Sequence, residues 1–290
     1  MIIQCEKVTK IKQGTSILKE FSWEISAPGI YAVLGPNGAG KTTMMQILAG
    51  LTSIDAGIVK VNGASPFENR KILSDICFIQ ESDNFKPTLT VGDVIKIVRP
   101  FYPDWEQELA EELLGQFQLP KKRRLKELSK GMSSALNMII GIASRAALTI
   151  FDEPYIGMDA GARKHIYQVL LEDFMEHPRT ILFSTHFIDE TENLFESVCI
   201  LKEGEKVFEE KISSLNERVL RIRGADKKVK GYAESGDVLH TSVFFDDTTA
   251  VVLFPSDNVP PVPKDLQTEK VSLQDFYIHY TDRMKEGEVQ

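Results

Sequence analysis

The hydrophobic positions of this chain change period several times, and each change marks a different kind of element. Residues 2–8 and 17–25 read as two strands separated by a turn at Gly14 and Ser16. Ile30, Tyr31, Ala32, Val33 and Leu34 follow Ala27-Pro28-Gly29 as one apolar run, the pattern of a strand buried on both faces. Next come a glycine-rich loop and a helix over 42–49 that Gly50 stops. Residues 76–79 are a further short apolar strand. From Thr90 to Ala147 the spacing turns helical. Thr90 and Asp93 form a capping pair around Val91, Val94, Ile95 and Val98. Asp104 is placed to cap a helix whose stripe is Trp105, Leu109, Leu113 and Phe117, and Ser129 to cap one carrying Met132, Leu136, Ile139 and Ile140. Strands return at 148–151 and 180–183 around a helix over 162–176. Residues 198–201 and 206–208 predict a hairpin about Glu203-Gly204.

Past residue 215 the texture shifts again. Strands are expected at 218–223, 238–245 and 250–254, followed by a stiff connector at Pro260, Pro261 and Pro263. A last helix starts at Ser272 with Asp275 three residues on, and Val271 is placed to staple Phe276. The layout is α/β: a core over 1–215 with a helical insertion at about 85–147, then an accessory region over 216–290.

Composition narrows the class. With 42% hydrophobic and 26% charged residues in 290, the chain has globular composition and length for about two domains. Thirty-four Lys and Arg against forty-two Asp and Glu leave a net charge of −8, which argues against nucleic acid as a partner. Cys5, Cys77 and Cys199 are too few and too scattered for a disulfide framework or a zinc site. No signal peptide and no membrane-length apolar run is readable, so any membrane span is expected from another subunit.

The chemistry starts at Gly35-Pro36-Asn37-Gly38-Ala39-Gly40-Lys41-Thr42, which matches G-x-x-x-x-G-K-[ST] between a buried strand and a helix. Such a loop turns successive N–H groups toward phosphate oxygens, and the helix start adds positive potential. Lys41 is the expected partner of the β- and γ-phosphates and Thr42 a ligand of Mg²⁺, with Thr43 in the same helical turn. A phosphate loop also needs a carboxylate for the metal and a group to orient the attacking water. Asp152 and Glu153 end an apolar strand, and parallel strand ends share one crevice. Asp152 is thus the expected metal ligand and Glu153 the group that polarises water.

Together with the phosphate loop, Asp152-Glu153-Pro154, Gly157-Met158-Asp159, Ser184-Thr185-His186, Leu128-Ser129-Lys130-Gly131-Met132 and Gln80 stand in an order that resembles the ATP-binding cassette of ABC transporters. The resemblance covers about residues 1–213. It implies a P-loop NTPase fold with an antiparallel β subdomain and a helical insertion. It also implies ATP and Mg²⁺ as ligands, and a head-to-tail dimer, either of two copies or with a related cassette, clamping two nucleotides. Gln80 would touch Mg²⁺ and water, Ser129 and Gly131 the γ-phosphate bound by the other subunit, and His186 the γ-phosphate beside Glu153. Asp159 would couple the two sites. A separate membrane permease would be the partner, with the cassette at the cytoplasmic face. Ser272-Leu273-Gln274-Asp275-Phe276 resembles the tail of ABC-2-type exporter ATPases. Leu-Ser-Lys-Gly-Met resembles a subgroup from drug, lantibiotic and antimicrobial-peptide resistance.

Three positions depart from the family pattern. Lys12 stands where an aromatic ring usually stacks on adenine, which implies weaker discrimination between ATP and GTP. Lys130 replaces the usual second glycine, and either adds charge near the phosphate or is a solvated helix start. Ser133-Ser134-Ala135-Leu136-Asn137 lacks the usual basic and Gln residues. Lys121-Lys122-Arg123-Arg124 is either an anion patch or, the stronger reading, a solvated linker. Residues 101–105 are aromatic enough for either a permease contact or local packing. A regulatory or soluble cassette that does not drive transport is the alternative function.

Overall fold

β1 (Ile3–Lys12) and β2 (Thr15–Ile25) form an antiparallel pair turning at Gln13 and Gly14. Phe21, Trp23 and Ile25 alternate into the core, and an irregularity at Glu20, with φ of 47°, restores Leu18 to the same side. The computed structural model describes residues 2–81, 85–245, 247–255 and 259–287. The chain divides into two compact units, Met1–His186 with Leu194–Glu209 and Phe187–Asn193 with Glu210–Gln290.

In the larger unit β3 (Gly29–Leu34) leaves the first sheet and enters a second one, buried along nearly all its length. The phosphate loop leads from it into α1 (Lys41–Leu48). β4 (Ala56–Val61), which the alternation had not revealed, returns to pair with β1 and completes a three-stranded antiparallel sheet, β2-β1-β4. Its burial explains the miss: only Val59 and Val61 are inside, so its pattern is short. After α2 (Arg70–Leu73), β5 (Ile76–Gln80) starts the far side of the second sheet. Met44, Met45 and Leu48 of α1 pack with Ile3, Phe21, Trp23, Val33, Ile150 and Leu182 in one core between the two sheets. Each such buried side chain contributes about 1.5–3 kcal/mol of transfer free energy.

The helical insertion holds α3 (Val91–Val98), α4 (Gln107–Gln116) and α5 (Lys130–Ser144). Thr90 and Asp93 make a reciprocal capping box: Asp93 N donates to Thr90 Oγ1 at 3.1 Å and Thr90 N to Asp93 Oδ2 at 3.0 Å. Ser129 caps α5 by accepting from Met132 N. Asp104 does not cap α4. Glu106 does, because its N–H is held by the Ala143 carbonyl at 2.8 Å and its carboxylate by Arg145 at 3.1 Å and Glu108 N. The helix therefore starts later, Trp105 lies outside it, and Ala110, Leu113 and Leu114 are its buried face.

β6 (Leu148–Asp152), α6 (Ala160–Glu176), β7 (Thr180–Ser184), β8 (Ser197–Lys202) and β9 (Glu205–Lys211) complete the second sheet in the order β5-β6-β7-β3-β8-β9. The pairs from β5 through β8 are parallel. Glu203 and Gly204, with φ of 50° and 85°, form the two-residue turn joining β8 to β9. This is the α/β P-loop NTPase architecture with an antiparallel subdomain and a helical insertion.

The smaller unit contains α7 (Ile188–Thr191), α8 (Ile212–Arg218), β10 (Val219–Ala225), α9 (Asp226–Ala233), β11 (Asp237–Phe244), β12 (Asp247–Leu253), β13 (Gln267–Lys270) and α10 (Leu273–Gly287). Its antiparallel sheet runs β11-β12-β10-β13, and Ile222, Val229, Ala250, Val252 and Phe254 form its core. Sequence pattern predicts the first three strands and the last helix but misses α8, α9 and β13. Half of α9 is charged, with Val229 and Ala233 alone buried, and β13 is exposed at every residue. Ser272 does cap the last helix, accepting from Asp275 N at 3.1 Å.

Removing the capping box tests how the insertion is built. The Thr90 hydroxyl and N–H hold the Asp93 carboxyl below its ordinary pKa, so the box is complete at neutral pH and is lost as pH falls through that lowered value. Thr90→Val should lower Tm by about 2–4 °C at pH 7, with the gap to the parent closing in acid. An unchanged Tm at pH 7 would contradict the assignment.

Candidate functional site

Four strand ends carry the site. Val33 lies opposite Ser184, Ser184 opposite Asp152, and Asp152 opposite Gln80, so β3, β7, β6 and β5 finish side by side at one edge. Polar residues placed there converge, as in open parallel sheets generally.

The phosphate loop springs from the first of these ends. Gly40, at φ 100°, occupies the left-handed region just before α1, and a side chain there would meet Ile17 O at 2.9 Å. Lys41 is almost fully buried, with Nζ donating to Gly35 O at 2.6 Å and Pro36 O at 3.2 Å, so the loop's own carbonyls hold the ammonium in place. Burial lowers its pKa, and the Glu153 and Asp152 carboxylates pull it back up. Asn37 and Gly38 lie exposed at the tip, and Ala39 is buried beneath them.

Asp152 is the hub. Thr42 Oγ1 donates to its Oδ2 at 2.6 Å and Ser184 Oγ to its Oδ1 at 2.7 Å. The next residue, Glu153, turns the chain at φ 49°, a conformation costly outside glycine, and its N–H donates to the same Ser184 Oγ at 3.0 Å. Glu153 Oε1 then reaches His186 Nε2 at 2.7 Å. His186 is fixed through its backbone, whose N–H donates to Tyr155 Oη at 2.7 Å. Burial drives the Tyr155 hydroxyl pKa up to about 12, while hydrogen bonds from Thr185 and His186 N oppose it. Thr42, Gln80, Asp152 and Glu153 line a cleft of about 890 Å³ together with Glu81, Lys130 and Asn137.

The oxygen donors suit a hard cation. A Thr hydroxyl, an Asp carboxylate and a Gln amide match Mg²⁺, which keeps waters and takes phosphate oxygens rather than a full protein cage. No group of three His, Cys, Asp or Glu able to hold a metal occurs among the described residues.

Ser129, Gly131 and Asp159 form a second group. Gly131 backs onto the loop after Glu153, where a side chain on it would lie 2.4 Å from Gly157 O. Asp159 is exposed and caps α6, accepting from Ala162 N at 2.9 Å. Lys12 ends β1, exposed, opposite Thr15. Sequence reasoning missed Ser184 as a site residue, although its place at the end of a buried strand was the available signal. Tyr155 and the Lys130–Glu81 pair carried no local signal.

Comparison with known proteins finds a matching family, relatives and solved structures of similar fold. A family model described as ABC transporter matches residues 18–156. The chain is similar to the Nod factor export ATP-binding protein I of Burkholderia lata, 31% identical over 238 residues, 78% of each chain. It is also similar to the ABC transporter ATP-binding protein YtrB of Bacillus subtilis, 26% identical over 224 residues, 77% of each. Its fold is similar to a bacterial ABC transporter cassette solved as a dimer, with TM-score 0.65, 24% identity, and 72% of this chain covering 98% of that one.

Ser184 is where the geometry makes the sharpest claim. Ser184→Ala leaves the buried Asp152 Oδ1 and Glu153 N without their shared partner, and lost outer-shell partners typically cost 10–100-fold. The Mg²⁺ concentration for half-maximal ATP turnover should rise about 10-fold or more. A parental Mg²⁺ dependence would show that Ser184 supports neither group.

Proposed function

The chain belongs to the ABC transporter ATP-binding family, and we propose that it is the ATP-hydrolysing subunit of an exporter whose permease is a separate chain. The observation that carries this reading is the continuous chain of contacts from Thr42 through Asp152, Ser184 and Glu153 to His186 beside the phosphate loop. Relatives named for export support the direction of transport. No helix among the described residues is long and apolar enough to cross a membrane, which fits a peripheral subunit at the cytoplasmic face with the permease doing the spanning.

The residues divide the work. Lys41 and the loop N–H groups from Gly38 to Thr43 neutralise and orient the triphosphate. Thr42, Asp152 and Gln80 would hold Mg²⁺, which supplies charge neutralisation between the phosphates. Glu153 accepts a hydrogen bond from the attacking water, and His186, held by Tyr155, keeps Glu153 aimed and contacts the terminal phosphate. Ser129 and Gly131 meet the nucleotide of a second copy lying head to tail, and Asp159 faces across the same interface. Loss of the terminal phosphate removes the charge that both copies share, and the pair opens. The smaller unit supports the dimer. An intact Glu153–His186 contact disfavours the alternative, a regulatory cassette without turnover.

Glu153→Gln separates binding from chemistry. This variant should bind ATP with Mg²⁺ within about threefold of the parent, release phosphate at least about 100-fold more slowly, and accumulate as a dimer in size-exclusion chromatography. Turnover at the parental rate would remove Glu153 from its role.

A further inference from the structure

Lys130 Nζ lies 2.7 Å from Glu81 Oε1, joining segments 49 residues apart. Lys130 is the first residue of α5, where the positive end of the helix disfavours an ammonium, and α5 has no acidic residue in its first turn. Glu81 brings the missing negative charge from the segment that follows Gln80. The stem of Lys130 is also packed: a side chain built on Gly157 would lie 2.9 Å from Lys130 Cβ, so the stem rests on the loop after Glu153. One side chain thus touches the segments next to two of the site's residues, and both Lys130 and Glu81 line the same cleft as Thr42, Gln80, Asp152 and Glu153. Their side chains are 62% and 50% exposed, so the pair holds only weakly and can exchange partners.

We propose that Glu81 competes for the Lys130 ammonium with the phosphate brought to Ser129 and Gly131 by the partner copy, an inference that rests on the head-to-tail reading above. Lys130 pairs with Glu81 in the separated chain. When two copies close, a terminal phosphate carries more charge and more acceptor oxygens than a carboxylate, and it lies on the helix start. Lys130 transfers to it, and Glu81 loses its partner. The two residues therefore act in opposite senses on closure: Glu81 holds the chain open and Lys130 favours the dimer. A purely structural strap would give the same effect whichever partner was removed.

That opposition is measurable. In the Glu153→Gln chain, the ATP concentration giving half-maximal dimer is read by light scattering at constant Mg²⁺. Adding Glu81→Gln should lower it about threefold, and adding Lys130→Ala should raise it about threefold. The variant carrying both should follow Lys130→Ala, because without the ammonium Glu81 has nothing to withhold. Both single changes moving the same way, or neither moving, overturns the proposal while leaving the head-to-tail reading in place. A Glu153→Gln chain that stays monomeric at saturating ATP overturns both together.

Discussion

A buried carboxylate sets the terms for the rest of this site. Asp152 is 7% exposed, and such a group is tolerable only with donors on its oxygens. Thr42 and Ser184 supply them from two other chain segments, so the first turn of α1, the end of β6 and the end of β7 must meet at hydrogen-bond distance. Parallel pairing in the observed register achieves this without further adjustment. A one-residue slip of β6 would turn Asp152 to the opposite face of the sheet and leave Thr42 and Ser184 without their acceptor. The geometry of the candidate site is in this sense a consequence of strand register. Glu153 inherits its position from the same hub, since its strained φ of 49° is held by the Ser184 hydroxyl that also serves Asp152.

Most of the larger unit was legible because its signals are local. The apolar run ending at Leu34, the glycine-rich loop and the run ending at Asp152 each declare a buried strand or its sharp turn, and Thr90-Asp93 and Ser129 declare helix starts. Lys41, Thr42, Asp152 and Glu153 could be read as a site because their chemistry sits at those ends. What stayed hidden depends on contacts distant in sequence. α4 begins at Gln107 rather than after Asp104 because the Ala143 carbonyl and Arg145 claim Glu106. β4 is short and half-exposed, and α9 and β13 bury too little to leave a periodic trace. Ser184 was visible as part of a motif, but its double role as acceptor for Glu153 N and donor to Asp152 belongs to the folded sheet.

The second group, at the start of α5, obeys a different constraint. Gly131 lies so close to the Gly157 carbonyl that any side chain would force the two segments apart, so the helix start and the loop after Glu153 form one packed surface. Lys130 sits on that surface against the helix dipole, and Glu81 balances it from the neighbouring strand end. Short, largely buried contacts therefore hold the phosphate-loop side of the cleft, whereas an exposed pair sits at the start of α5.

Every role assigned to these residues requires that the loop around Lys41 hold the triphosphate. Isothermal titration of ATP with Mg²⁺ into the parent chain and into Lys41→Ala tests it most directly. The parent chain should take up one nucleotide and the variant bind at least about 100-fold more weakly, because a buried charge partner of phosphate is lost. Equal affinity in the two proteins would contradict it.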